Sequence, residues 1–294
     1  MFKHGRPLGS RARALSLAAL SVVMATIATA RESRAGIVVF EGAGGTPASI
    51  TGVRDAFRAA VGGGTVAGAN GSFGGVRREI NWDGVPDVRA DPNLLPADFF
   101  NVNSPRGVVF STPGTGFLVS SNAGTAAPVL FGFPNDFQAF SAQRLFTAVN
   151  SNITDVSFFV PGTTTAATTS AFGVIFVDVE VAGLTRVEFF NENNSLIFTR
   201  NALVAGNQGL SFLGGVANAG ERIGRVRITS GLNTIVSNGV LGNTNDDVVV
   251  MDDFLYAEPL ALVTPVPEPG TLAMAATGLI AAMAGVARRR SRRA

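Results

Sequence analysis

The sequence predicts an all-β protein, an antiparallel β-sandwich or jelly roll with one short N-terminal helix, and three observations carry that reading. Short β-branched and aromatic runs recur through the middle of the chain, each bounded by Gly, Asn, Asp or Pro; they fall at 37–40, 107–111, 116–120, 129–133, 155–160, 172–181, 186–190, 196–199, 209–212, 222–229 and 247–256. Between Phe189-Phe190 and Leu196-Ile197-Phe198 lies the polar stretch Asn191-Glu192-Asn193-Asn194-Ser195, so these two runs read as a hairpin. Ile223, Val226 and Ile228 are interleaved with Arg222, Arg225 and Arg227, which buries one face of that strand and wets the other. A body of about 230 residues is within reach of a single β domain.

Taken from the N-terminus, the chain opens with Lys3, Arg6, Arg11 and Arg13, followed by an apolar stretch over 15–28 and the small-x-small triplet Ala28-Thr29-Ala30. That order is a signal peptide, 1–30, cut after Ala30, with a second position for the cut after Ala35. The β domain is then expected over 36–258. Early in it, Thr46 is placed to cap a helix with Pro47 at its first position. Ile50, Val53, Phe57 and Val61 recur on one face before Gly62-Gly63-Gly64 ends it. This helix is expected to close one end of the sandwich, and 62–75, rich in Gly, Ala and Asn, to form a flexible loop. After the last run, Pro259, Pro265, Pro267 and Pro269 mark an extended connector, 259–265.

The C-terminal segment 266–294 has three parts in fixed order. Val266-Pro267-Glu268-Pro269 precedes eighteen uncharged residues, 270–287, and these precede Arg288, Arg289, Arg290, Arg292 and Arg293. At 1.5 Å rise per residue the uncharged part is about 27 Å long, enough for a transmembrane helix. The arginines hold its end in the cytoplasm and leave the preceding domain outside. This arrangement resembles the PEP-CTERM sorting tail of Gram-negative bacteria. The resemblance implies an exosortase-type membrane protease as partner, transient anchoring in the inner membrane, and processing near the Pro-Glu-Pro.

Charge and absences limit what the exported body does. The whole chain is weakly positive, but 36–265 holds 12 basic against 19 acidic residues and is seven charges negative, so nucleic acid is an unlikely fit as partner. The only histidine is His4, the only lysine is Lys3, and there is no cysteine. A Ser-His-Asp triad, a Cys-His pair, a His-ligated zinc, a disulfide, a Schiff-base lysine and a P-loop are all excluded from the body. Carboxylates, hydroxyls, amides and arginines remain, a set suited to Ca²⁺ or to carboxylate-based glycoside hydrolysis.

Three constellations stand out. Asp252-Asp253, in the run 248–256, resembles the last strand of jelly-roll carbohydrate-binding modules, where an acidic pair helps hold a structural Ca²⁺ beside an acid of the first strand. Glu41 is placed to be that third ligand, and the alternative is one aspartate in water with the other bonded to a neighbouring strand. Asp83, Asp87 and Asp91, three carboxylates at four-residue spacing beside Trp82, would let a sugar stack on the indole while carboxylates take its hydroxyls. The same residues also read as turns around a core tryptophan. Asn243, Asn245, Asp246 and Asp247 form a turn-rich cluster. The segments 75–86, 101–107 and 137–141 resemble a family of uncharacterised secreted bacterial proteins, which implies one domain and no established activity. The expectation is an exported envelope or extracellular-matrix protein, structural or adhesive, with Ca²⁺-dependent contact to exopolysaccharide; the alternative is a carboxylate-based enzyme on polysaccharide.

Overall fold

The computed structural model describes residues 36–64, 69–122, 129–236, 239–241, 247–262 and 278–279. Among these, fourteen of the sixteen strands form two sheets. The larger runs in the order β1 (Ile37–Gly44), β11 (Leu210–Ala217), β8 (Ala171–Val177), β15 (Val250–Ala257), β5 (Phe146–Val149), β13 (Thr234–Val236) and β14 (Gly239–Leu241). To it β2 (Arg77–Ile80) adds on β15 and β4 (Gly116–Val119) on β5. The smaller sheet is β10 (Leu196–Asn201), β9 (Arg186–Phe190), β12 (Arg225–Thr229), β6 (Ile153–Phe158) and β3 (Val108–Ser111). A short ribbon pairs β7 (Ala167–Thr168) with β16 (Leu260–Ala261). Every pairing between these strands is antiparallel except that of β13 with β5.

The sheets face each other across one core. Val156, Val187, Phe189, Val226 and Ile228 of the smaller sheet meet Val174, Phe176, Leu213 and Phe254 of the larger one. On β12 the alternation works as expected: Val226 and Ile228 are buried, while Arg225 and Arg227 both bind Asp155 on β6 at 2.6 and 2.7 Å on the wetter face. The β9–β10 hairpin forms with Asn191 as its organiser, its Oδ1 accepting from the amides of Asn193 and Ser195.

The larger sheet is buried on its outer face as well. There a second cluster holds Ile175, Val177, Phe212 and Leu255 beneath Ile50 and Phe57 of α1 (Pro47–Val61) and Phe131 and Phe137 of the segment between β4 and β5. That explains why β8 and β15 are buried at every position, as strands covered on both sides must be. The helix therefore lies on the sheet's face and does not close an end. Gly173 and Gly214, paired across β8 and β11, make its bed. A Cβ on Gly214 would stand 2.8 Å from the Phe57 ring.

Three expectations need correction. Residues 129–133 form no strand: Leu130 and Phe131 have φ of 50° and 57°, a 3₁₀ turn over Leu130–Gly132 that folds Phe131 onto the outer core. Thr46 is the N-cap residue, yet its hydroxyl meets Ser49 Oγ at 3.0 Å and caps no amide. The chain is still strand-paired at Leu260–Ala261, inside the stretch read as a connector. Part of the expected loop is also tied down. Arg78 and Glu258, both fully buried, pair at 2.9 Å. Arg78 donates to the carbonyls of Ala69 and Gly71, and Glu258 accepts from the amide of Phe73.

Candidate functional site

A cleft of about 600 Å³ opens beside α2 (Phe99–Val102). Its wall includes Asn81, Trp82, Phe99, Phe100, Asn103, Ser104 and Arg106. No carboxylate side chain lines it among the described residues. The neighbourhood is the one the sequence singled out, but the expected chemistry is not there. Trp82 is 1 % exposed, its ring stacked on Phe146 at 4.0 Å and met edge-on by Phe100 and Phe254, so neither face is open to a sugar. Asp83 turns away to accept the amides of Gln143 and Arg144 at 2.7 and 3.2 Å. Asp87, largely exposed, pairs with the buried Arg144.

The acidic pair occupies a β-bulge. Met251 faces Phe176 and Phe254 faces Val174, so Asp252 and Asp253 together oppose the single residue Ile175. The bulge brings both carboxyls to the Phe140-Ser141 turn. Asp252 accepts the Phe140 amide at 2.6 Å, and the Ser141 hydroxyl lies 3.1 Å from Asp252 and 2.8 Å from Asp253. Burial lifts Asp252 well above the ordinary carboxylate range, with Asp253 adding to it, and burial lifts Asp253 too. Ser141 has one proton to give and two carboxyls within reach of it. The bulge also frees the carbonyl of Asp252, which accepts the Trp82 indole N–H at 2.8 Å.

Glu41 does not join this pair. It lies on β1, and β11 and β8 stand between it and β15, three strand spacings or about 14 Å. Both its oxygens are taken by Arg200 of β10, at 2.8 and 2.5 Å, and this bond holds its carboxyl below the usual range. Among the described residues no group of three or more acidic side chains is arranged to hold a metal ion. The expected Ca²⁺ site of Glu41, Asp252 and Asp253 is therefore not assembled. Asn243, Asn245 and Asp246 lie outside the described residues, as do Ala28 and Ala30; Asp247 is buried and accepts the Glu180 amide at 2.8 Å.

The residues at the end of the chain are placed by comparison. The model of the PEP-CTERM protein-sorting motif matches residues 265–293. This chain carries a PEP-CTERM sorting tail. The match spans Val266, Pro267, Glu268 and Pro269 and the cluster Arg288, Arg289, Arg290, Arg292 and Arg293, all of which lie outside the described residues. The PEP-CTERM tail implies export, transient anchoring through the C-terminus, and sorting by an exosortase, a membrane protein. Among the described residues no helix is long and apolar enough to cross a membrane. No curated protein matches the chain.

One acid that the sequence did not flag gives the domain a pH dependence. Asp178, 5 % exposed at the end of β8, is pushed up to about 7 by burial, with Glu180, Asp136 and Asp247 adding, against the pull of the Gln208 amide at 2.8 Å. An unfolded aspartate titrates near 3.9, so the folded state favours the protonated form between the two values. The stabilisation is complete below about pH 4 and is lost as pH rises through about 7. Asp252 and Asp253 act in the same direction. The melting temperature is expected to fall between pH 5 and pH 8, and Asp178→Asn to flatten that fall. An unchanged slope in the variant would place the titration elsewhere.

Proposed function

We propose that this is an exported jelly-roll module of the cell envelope or extracellular matrix, structural or adhesive, that contacts exopolysaccharide without cleaving it. The strand order supports the jelly roll: β5-β15-β8-β11 faces β6-β12-β9-β10, the arrangement of two interleaved Greek keys, with β1 and β3 added at the edges. The observation that carries the binding reading is the composition of the cleft. Glycoside hydrolysis needs two carboxyls flanking a substrate bond. Here the cleft wall offers amides, a hydroxyl, aromatic edges and an arginine, while the acidic pair is shut inside a bulge. Ca²⁺ dependence is not part of the proposal, because its three expected ligands lie apart.

Two measurements test it. Intact-mass analysis of protein secreted by an exosortase-bearing host is expected to give a chain that starts at Arg31 or Gly36 and ends near 267–269. In a host without the protease the chain is expected to stay in the inner-membrane fraction. Retention of the protein on polysaccharide, with no new reducing ends released, supports the module. Steady release of reducing ends would make it an enzyme.

A further inference from the structure

We infer that the cleft beside α2 binds a carboxylate-bearing sugar, a uronate, with Arg106 as the group that takes the carboxylate. The inference rests on the polysaccharide-binding reading above and names the class of sugar. Arg106 is the only charged residue on the cleft wall among the described residues. Its Nη1 donates to the backbone carbonyl of Glu79 at 3.0 Å, and its Nε is buried with no acceptor. Its guanidinium lies over the Phe100 ring at 5.3 Å and, among the described residues, pairs with no carboxylate.

The acids nearby are already spent. The Glu79 carboxylate is held by Arg58 and by Arg77, the latter at 2.8 Å, and Glu258 is held by Arg78. Burial, with Arg78 adding and Tyr256 opposing, pulls the Arg106 guanidinium below its ordinary value. A positive charge therefore sits half-buried, uncompensated, on the wall of a cleft whose size is within the range of small-ligand sites. A guanidinium gives charge-assisted hydrogen bonds to a carboxylate, and Arg106 brings one to the cleft wall. Asn81, Asn103 and Ser104 supply amide and hydroxyl groups for sugar hydroxyls around it. A neutral sugar would satisfy those polar groups and leave the charge bare. A uronate satisfies both.

The test is calorimetric titration of the mature protein, secreted by an exosortase-bearing host, with a short oligogalacturonate and with the same oligomer after its carboxyls are reduced to neutral galactose. The acidic form is expected to bind about tenfold tighter or more, a preference that falls with added salt. Arg106→Gln is expected to erase the preference. Because Arg106 also holds the Glu79 carbonyl, a second variant guards against misfolding. Asn103→Asp puts a negative charge at an exposed position on the cleft wall, and is expected to weaken the acidic oligomer about tenfold more than the neutral one. Equal binding of both oligomers, untouched by either variant, overturns the uronate inference and leaves polysaccharide binding standing. Binding of neither oligomer overturns both.

Discussion

Glu258→Ala is expected to cost the domain about 3–5 kcal/mol, because it strips the paired carboxylate from a fully buried guanidinium. Arg78 and Glu258 are both inaccessible, and their 2.9 Å contact joins the end of the last long strand to β2. Arg78 also carries the carbonyls of Ala69 and Gly71, and Glu258 the amide of Phe73, so the pair fastens an otherwise irregular segment to the sheet. Removing one partner leaves a charge in a low-dielectric site, and that desolvation, more than the lost attraction, is what destabilises. Replacing both residues by apolar ones, Arg78→Met with Glu258→Leu, is expected to recover a large part of the loss. Urea unfolding followed by the emission of the single tryptophan reads both. A double variant as unstable as the single one would show that the hydrogen bonds to 69–73 dominate.

Trp82→Ala is expected to cost a similar amount, about 3–5 kcal/mol, in the range for deleting a buried aromatic. The indole is packed by Phe146, Phe100, Phe110 and Phe254 and is 1 % exposed. Its N–H also closes the bulge by bonding the carbonyl of Asp252. Trp82→Phe separates the two roles: the ring contacts largely persist, and the orphaned carbonyl accounts for a loss of about 1–3 kcal/mol. Circular-dichroism melts of both variants make the check. Had Trp82 been a sugar platform, alanine would abolish binding and leave the melting temperature nearly unchanged.

The outline of the β domain was legible because β structure writes itself in short runs. Arg186–Phe190 appears at the residues where its pattern lies, and β12 alternates as Val226 and Ile228 say it must. What failed did so for physical reasons. At 129–133 an apolar run reads equally as strand or turn, and only packing of Phe131 decides. Phe146–Val149 is four residues long, too short a run to stand out, though it sits deep in the larger sheet. The uninterrupted apolar character of 172–177 was a signal that both faces of that strand are covered, and hence that the helix lies on a face.

The site was less legible than the fold. The stretch around Trp82 pointed to the right place, but whether an indole stacks on a ligand or on Phe146 depends on residues far away in sequence. Arg106 carries no motif. Its distinction is the absence of an acidic neighbour in space, which requires knowing that Glu79 and Glu258 are taken by other arginines. Asp252 and Asp253 looked like ligands because consecutive acids in an apolar strand demand an explanation. The bulge and the bonds from the Phe140-Ser141 turn give both carboxyls partners.

Strand β15 is late in the chain and inside the larger sheet, between β8 and β5. Synthesis delivers it after almost everything it joins, so until 250–257 arrive nothing links β8, β5 and β2 in the sheet, and the acidic bulge, the Trp82 bond and the Arg78 pair all wait on the same few residues. Closure of the domain is thereby a late event, timed to the arrival of the sequence next to the tail. Pairing then persists to Ala261, six residues before Pro267, a reach of no more than about 20 Å even when fully extended. A membrane protease that cuts near Pro267 must work in the shadow of the domain it releases, and finds its substrate short-tethered once the last strand has locked.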